Sequence, residues 1–450
     1  MQERLPAQVR FIISTEACER FSYYGMLSIL TLYLKNQLRL PEEQSKEIVH
    51  LFKMATYFLP LLGGFLADRW LGRYRTILGL SLFYCVGHAL LALGEGTLGG
   101  LLAGLAFIAL GAGGIKPCVS AFVGDQFPTE RQDLLTRVYG LFYWAINLGA
   151  MFAFALVPWI RDHHGFRWAF GIPGIFMGFA ALCFWAGSKG YIKVPPERPL
   201  GAASRAGALA VSASPTPAAS VASGAPTPRP GPAGLWRIAV ALLPVPVFWA
   251  LYDQINTSWV LQAERMQKFE VLGFRVDAER FQSVSALLVL IWVPVLTFWV
   301  YPLAERRGLR PTPLRRMGLG MIFGALSFVL CAWLQRRLDH GESLSLLWQL
   351  LPYVVLELGE VLLSASGLEF AYGQAPASMK SVAMSFWVLT TSLGNFLVAL
   401  ITKLNARYVH ASGSAEFLFY AGLMGVVAAL FAFLATRYRP APVAGLAATS

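Results

Sequence analysis

Long apolar blocks alternate with short polar segments along the 450-residue chain. Each block is close to the roughly 20 residues that a helix needs to cross a bilayer, or longer. Backbone groups in lipid must be satisfied within their own segment, so such blocks are predicted to be helices. The twelve predicted spans, numbered 1 to 12, cover residues 9–34, 47–67, 76–94, 97–123, 138–160, 168–187, 237–260, 281–303, 317–334, 346–371, 381–402 and 415–436. The pattern therefore predicts an all-α polytopic membrane protein with twelve transmembrane helices.

Composition supports the membrane class. The chain is 56% hydrophobic and only 14% charged, whereas soluble domains carry about a quarter charged residues. The first ten residues show no signal-peptide pattern. The five cysteines lie in apolar spans at unrelated spacings, which indicates packing residues rather than a disulfide or metal site. We therefore expect no metal and no cofactor.

The net charge of +12 is distributed unevenly across the predicted loops. If both termini are cytoplasmic, and charges at the first two residues of a span are counted with the adjoining loop, the cytoplasmic segments hold 21 Lys/Arg against 7 Asp/Glu. The opposite loops hold 13 against 12. Such an excess on one side is the positive-inside asymmetry of membrane proteins. The distribution predicts two cytoplasmic termini and basic loops at the inner headgroups of the lipid bilayer. Nucleic-acid binding is disfavoured because no separate basic domain exists.

The chain divides in its middle. Residues 195–235 are almost entirely Pro, Ala, Ser, Gly and Thr, which is typical of a flexible linker. Six predicted spans precede the linker and six follow it. We predict an N-terminal six-helix bundle over 1–194, a C-terminal bundle over 236–437 and a cytoplasmic tail over 438–450. The acidic–basic turn at 67–73 has a weak echo at 304–310, as two related halves would show.

Apart from charges at the first two residues of a span, nine charged residues lie inside the predicted spans, where each costs about 2.5–3.5 kcal/mol at a helix centre. They are Glu16, Glu19, Arg20, Lys53, Lys116, Asp253, Glu357, Glu360 and Glu369. A functional role is the default explanation for such residues. Structural salt bridges remain an alternative, above all for Lys53 and Glu357.

Helical spacing groups several of these charges. Glu16, Glu19, Arg20, Tyr23 and Tyr24 lie at i, i+3, i+4, i+7 and i+8, so they form one stripe of span 1. A polar stripe on an apolar helix must face a water-filled path or other polar helices.

Span 7 shows a shorter polar stripe of the same kind, formed by Trp249, Asp253 and Asn256. On span 10, by contrast, Glu360 and Glu369 are about 180° apart on a straight helix. Both cannot face one cavity there unless the helix bends at the small residues 364–367.

The nine buried charges comprise six acids and three bases. Desolvation and repulsion between like charges both favour the protonated form of a carboxyl group. The excess of acids therefore favours protons as the coupling ion, although sodium would neutralise the same charge.

Glu16-Ala-Cys-Glu-Arg-Phe-Ser-Tyr-Tyr-Gly25 resembles the Glu-x-x-Glu-Arg-Phe-x-Tyr-Tyr-Gly signature of the proton-dependent oligopeptide transporter (POT) family of the major facilitator superfamily. The loop at 63–73 is also similar to the superfamily signature. Further matching motifs follow in family order at residues 111–117, 142–149, 248–254 and 367–376. The resemblance implies two six-helix bundles that rock around a substrate site between them.

The resemblance also implies roles for single residues. Glu16, Glu19, Asp253 and His50 would respond to protons, with Asp253 at an extracellular gate. Arg20 and Lys116 would bind the carboxylate of a peptide, Glu369 would bind its amino terminus, and Lys116 with Glu369 would form a gating salt bridge. The residues expected to contact the peptide are Tyr23, Tyr24, Tyr57, Asn147, Trp249, Ser285 and Trp387. Ser285 stands where members commonly carry an asparagine, which weakens that contact.

The expected function is proton-coupled import of di- and tripeptides by a monomer in a bacterial inner membrane. No nucleophile–base pair, metal cluster or phosphate loop indicates an enzyme. Two alternatives stay open: transport of nitrate or another small anion or peptide-like compound, and a peptide sensor that transports nothing.

Overall fold

The computed structural model of the chain describes residues 6–127, 132–196, 233–271, 273–309, 311–374 and 380–438. Helices make up nearly all of these ranges, which confirms the prediction of an all-α membrane protein. Most of the predicted linker and tail lies outside the described residues, so the domain boundaries stay a prediction. One short antiparallel hairpin, Phe269–Val271 with Phe274–Val276, lies between spans 7 and 8.

The helices of the first half follow the apolar blocks closely. Span 1 is Val9–Leu32 and continues as a π-helical turn to Gln37. The other segments of this half are Glu42–Phe58, Pro60–Leu66 and the π-turn Ala67–Leu71 in span 2, Arg73–Leu93 in span 3, Leu98–Asp125 in span 4, Gln132–Ala186 in spans 5 and 6, and the 3₁₀ turn Gly187–Lys189. The stretch Gln132–Ala186 consists of two helices that meet at a kink. The kink lies at Gly165, whose φ of 80° and ψ of 174° form a backbone conformation that favours glycine.

The second half has more interruptions. Its segments are Ala233–Leu242, Val245–Tyr252, Asp253–Asn256 and Ser258–Glu264 in span 7, Arg280–Gln282, Ser283–Val295, Leu296–Val300 and Tyr301–Arg306 in span 8, Pro313–Asp339 in span 9, Leu346–Gln349 and Leu350–Gln374 in span 10, Lys380–Leu404 and Asn405–Val409 in span 11, and Ser414–Arg437 in span 12. Several of these breaks follow from sequence. Pro244 and Pro246 cannot donate backbone hydrogen bonds. Pro244 lies between the first two segments of span 7, and Pro246 is the second residue of the segment that follows.

Ten helical stretches in the described ranges are long and apolar enough to cross a membrane. One of them, Gly140–Lys189, contains both span 5 and span 6. Span 1 is not among the ten, since Glu16, Glu19 and Arg20 all lie in its apolar part, yet its helix is 24 residues long. These observations are consistent with the twelve predicted crossings.

The hydrophobic core consists of two large clusters. One is built from spans 1 to 6 and includes Tyr23, Phe122 and Phe184. The other is built almost entirely from spans 7 to 12 and includes Trp259 and Phe328. Side chains between the two clusters therefore lie where the two halves of the chain meet.

Candidate functional site

The charge cluster of span 1 is buried as a unit. Nε of Arg20 lies 3.0 Å from Oε1 of Glu16 and 2.5 Å from Oε2 of Glu19. All three side chains are buried. One guanidinium thus faces two carboxylates, and the cluster has a net charge of −1 when both acids are ionised.

Gly149 of span 5 brings its helix against this cluster. A Cβ atom at Gly149 would lie 2.6 Å from the carbonyl oxygen of Ala17 and 3.1 Å from Cβ of Arg20. Any side chain there would push span 5 away from span 1. This contact explains physically why the motif at 142–149 ends in glycine.

Lys116 of span 4 lies beside the same cluster but forms no ion pair among the described residues. Its Nζ lies 4.2 Å from the ring centroid of Tyr23 and 4.5 Å from that of Tyr57. Cation–π contacts of this kind stabilise a desolvated ammonium by about 2 kcal/mol. Within the part of the chain that the structure describes, no hydrogen-bond acceptor contacts this ammonium. A buried ammonium in this state is suited to receive a carboxylate.

Two glycines allow span 4 to approach span 2. A Cβ atom at Gly63 would lie 2.3 Å from Cα of Gly114. The backbones of the two helices are therefore in direct contact. This approach fixes the position of Lys116, two residues after Gly114.

A buried polar network joins span 2 to span 7. Nζ of Lys53 donates to Oδ1 of Asp253 and, at 2.8 Å, to Oδ1 of Asn256. Asn256 in turn donates from Nδ2 to Oε1 of Gln282 at 2.8 Å. The predicted gate residue Asp253 thus has a cationic partner on the other half of the chain.

His50 extends this network to span 11. Its Nδ1 lies 3.0 Å from Oδ1 of Asn395, and its Nε2 lies 3.0 Å from Oγ1 of Thr257. Nδ2 of Asn395 donates to Asp253, which leaves Oδ1 of Asn395 as an acceptor for His50. Thr257 can either donate to Nε2 or accept from it, so the site accommodates both neutral and protonated imidazole.

The break in span 7 creates this site. The α-helix ends at Tyr252, a 3₁₀ turn covers Asp253–Asn256, and Thr257 has φ −131° and ψ −91°. The prediction of one continuous helix over 237–260 was wrong in this respect. Irregular backbone at membrane depth is tolerated where it is buried in protein or lines a cavity. Broken helices of this kind form substrate and ion sites in transporters.

Further polar contacts between the two halves lie at the end of the molecule where span 1 finishes, away from the chain termini. They join Thr31 to the Asn256 carbonyl, Lys35 to Glu264, Lys46 to Glu416, Arg161 to Glu279, and Arg280 to Asp162. The halves are therefore closed against each other at this end, which we call the far end.

Trp249 and Trp387 pack together in the second half. Their ring centroids are 6.1 Å apart, and Nε1 of Trp249 donates to Oγ1 of Thr390 at 3.1 Å. A Cβ atom at Gly367 would lie 2.0 Å from the Trp387 ring, so glycine makes room for the indole. Both tryptophans are buried in this conformation.

Two residues that were predicted to contact the peptide interact with other residues of the protein in this conformation. Nδ2 of Asn147 donates to the carbonyl oxygen of Tyr143 on its own helix at 3.0 Å. The hydroxyl of Ser285 lies close to the side chains of Tyr252 and Glu357. A peptide would have to replace these partners or use the remaining capacity of each group.

Span 10 places its acids in different environments. The side chain of Glu369 is 39% exposed and pairs with Arg316 of span 9. The predicted pair of Lys116 with Glu369 is not formed in this conformation. Glu360 lies instead within electrostatic range of Tyr24 on span 1 and Tyr143 on span 5. Of the two acids that sequence left undecided, Glu360 is the one directed toward the first half.

Sequence reasoning did not anticipate several partners. The sequence predicts a buried charge at Lys53, with a structural salt bridge as an alternative, but it does not identify Asp253 as the partner. It gives no role to Asn395 or Thr257. Asn395 carries a weak signal, since an amide within the apolar span 11 requires a hydrogen-bond partner. Pairing across the two halves cannot be inferred from one sequence, because helix periodicity gives the face of a helix and not its neighbour.

Comparisons with known proteins identify the family. A family profile described as the POT family matches residues 74–214 and 233–416. Peptide transporter family 1 of Drosophila melanogaster is 39% identical over 361 residues, which are 75% of this chain and 48% of that protein. Human solute carrier family 15 member 2 is 36% identical over 74% of this chain and 50% of its own length. The chain thus spans about half the length of the curated relatives it matches.

Solved structures match along nearly the whole chain. A crystal structure of an auto-inhibited POT family peptide transporter has a TM-score of 0.83 and 35% identity, and the match covers 99% of both chains. The POT family transporter PepTSo has a TM-score of 0.83 and 34% identity, over 97% of this chain and 99% of that one. The sequence motifs, the two six-span halves and these matches agree, and the chain belongs to the POT family of membrane transporters.

Proposed function

We propose that the protein imports di- and tripeptides together with protons by alternating access. The observation that carries this proposal is the ammonium of Lys116 beside the Glu16–Glu19–Arg20 cluster, since none of the described acids forms an ion pair with it. A peptide carboxylate supplies the anion that Lys116 lacks. Relatives named as peptide transporters support this choice of substrate.

Protonation of the span-1 glutamates would change what Arg20 binds. With Glu16 and Glu19 ionised, Arg20 is held by both carboxylates. A proton on either weakens that pairing and allows Arg20 to join Lys116 in binding the peptide carboxylate. Loss of the proton restores the Arg20 pairs and expels the carboxylate. The proton and the peptide therefore favour each other, as symport requires.

The amino terminus of the peptide requires an acid on the second half. Glu369 remains the acid that the family resemblance implies, and it would have to leave Arg316. Glu360 is a second candidate, since it lies near Tyr24 and Tyr143 between the halves. A zwitterionic peptide would be held at its two charged ends, between Lys116 and either acid. The site would therefore select peptides by their length and by the positions of their terminal charges rather than by their side chains.

We also propose a place in the transport cycle for this conformation, in which the far end is closed. The basic loops favour cytoplasmic termini, which would make the far end the extracellular side of a bacterial inner membrane. The His50 and Asp253 network would then be part of the outer gate, and opening it would require breaking the Lys53 pair. We propose that one chain suffices for this cycle, since both halves of the site lie within it.

The test is uptake of labelled dialanine into proteoliposomes with and without an inward proton gradient. We expect the gradient to increase wild-type uptake, and a protonophore to abolish the increase. Glu19→Gln should lose the response to the gradient while retaining exchange of internal for external peptide. Gradient-independent wild-type uptake would contradict proton coupling, and the absence of both uptake and exchange would favour a sensor. Competition by nitrate, with none by dialanine, would favour an anion transporter.

A further inference from the structure

Glu357 has no role in the mechanism described so far. It lies on span 10, three residues before Glu360, so both carboxyl groups share one face of the helix. Glu357 is 0% exposed, whereas Glu360 is partly exposed. In this pair of acids, one carboxyl group is fully buried and the other is partly exposed.

The groups that face Glu357 come from three elements and carry no positive charge. The Tyr252 hydroxyl of span 7 lies 3.3 Å from Oε2 of Glu357. Ser285 of span 8 provides a second hydroxyl, and Glu360 of span 10 provides a second acid. Tyr353, one turn earlier on span 10, also lies within electrostatic range. In the described ranges, no lysine, arginine or histidine forms an ion pair with Glu357 or Glu360.

These surroundings disfavour a charged Glu357. A fully buried carboxylate without a cation costs several kcal/mol, and neutral hydroxyl donors do not cancel its charge. A second carboxylate three residues away on the same helix face adds repulsion. Among the described residues, Oε1 of Glu357 has no hydrogen-bond partner, while Oε2 faces Tyr252. A proton on Oε1 removes the charge and leaves Oε2 free to accept from Tyr252.

We propose that Glu357 is a proton-binding carboxyl, additional to the span-1 glutamates, which exchanges its proton with water through the partly exposed Glu360. The inference rests on the proposed function, since it adds a second proton to the same cycle. The proton leaves Oε1 of Glu357, binds the carboxylate of Glu360 and passes from there to water. No covalent chemistry is involved.

The position of Glu360 also implies an order of release. Glu360 is the partly exposed member and lies near Tyr24 and Tyr143 of the first half. If Glu360 rather than Glu369 binds the amino terminus of the peptide, the peptide occupies the carboxylate through which the Glu357 proton must leave. In that case the peptide departs first and the proton follows.

The ratio of protons to peptide tests the proposal. In proteoliposomes, the membrane voltage that just cancels a fixed peptide gradient reports this ratio. Glu357→Gln preserves the shape of the side chain and an acceptor for Tyr252 but cannot bind a proton. We expect the ratio to fall by one in Glu357→Gln and to stay at the wild-type value in Glu342→Gln. Glu342 is a matched control because its carboxylate pairs with Arg337 at the surface.

The outcomes separate this inference from the proposed function. An uncoupled wild type would overturn the proposed function, whereas a coupled wild type with an unchanged ratio in Glu357→Gln would overturn the role of Glu357. If Glu357→Gln fails in peptide exchange, the double variant Glu357→Leu/Tyr252→Phe is used instead, because it removes the carboxyl group and its hydroxyl partner together. Its ratio of protons to peptide is measured in the same way.

A second readout needs no transport. The infrared spectrum of the detergent-purified protein at neutral pH should contain a protonated-carboxyl stretch that Glu357→Gln lacks and Glu342→Gln retains. Identical spectra for all three proteins would contradict a protonated Glu357.

Discussion

Lys116 illustrates how much of the site depends on single residues. Its ammonium is buried over two tyrosine rings, while the nearby acids pair with Arg20. The helix periodicity of span 4 did not reveal this arrangement, because it depends on the backbone contact between Gly63 and Gly114. The identity of Lys116 as a buried charge was predictable, and its lack of an acidic partner was not.

Replacing Lys116 by glutamine should separate recognition of the two ends of a peptide. A charge-assisted hydrogen bond is worth about 1.5–3 kcal/mol, so the affinity for dialanine should fall about 10- to 100-fold. The affinity for C-terminally amidated dialanine, which lacks the carboxylate, should not change. Calorimetric titration of the purified protein measures both affinities.

Lys189→Gln provides the control for that substitution, since it removes a basic residue at the end of span 6, away from the cluster. Equal losses for dialanine and its amide in Lys116→Gln would show a general structural defect. Unchanged affinity for both would assign carboxylate binding to Arg20 alone.

At the scale of helices, close contact between glycines positions the charged side chains. Gly63 meets the backbone of Gly114, and Gly149 meets the backbone of span 1. Neither contact can relax by rotating a flexible side chain, because the neighbouring atoms belong largely to the main chain. The glycine motifs thus fix helix spacing, and helix spacing fixes the position of Lys116 and Arg20.

Gly63→Ala should lower the melting temperature of the purified protein. The added Cβ atom would lie 2.3 Å from Cα of Gly114, and overpacking of this kind costs about 1–3 kcal/mol. Gly178→Ala is the matched control, because a Cβ atom at Gly178 has no neighbour within 4 Å. Alanine there should be neutral or stabilising, since glycine weakens a helix. Equal melting temperatures for both variants, measured by intrinsic fluorescence, would contradict this account.

The helices themselves were largely predictable from sequence. In lipid, each spanning segment must form its backbone hydrogen bonds within itself, so a long apolar block predicts a helix. Span 12, predicted over 415–436, is Ser414–Arg437. Span 7 was harder, because its 3₁₀ turn at Asp253–Asn256 is stabilised by partners on spans 2 and 11. Glu360 and Glu369 lie on opposite sides of one helix. Which of the two faces the first half of the chain depends on how span 10 packs, and the sequence does not give this packing.

At the scale of the whole molecule, polar groups are concentrated where the halves meet. The far end is held by charged pairs such as Arg161 with Glu279 and by the buried network around Asp253. Buried pairs of this kind contribute little net stability, but breaking one is costly. They are therefore suited to hold one of two conformations and to be exchanged for other contacts in the second.

The central claim is that peptide and proton cross the membrane together. The most direct measurement uses proteoliposomes that contain a pH-sensitive dye and have no initial pH gradient. We expect that adding external dialanine acidifies the lumen, and that Glu19→Gln gives no acidification despite retaining peptide exchange. Dialanine entry without any change in lumenal pH in the wild-type protein would contradict the account.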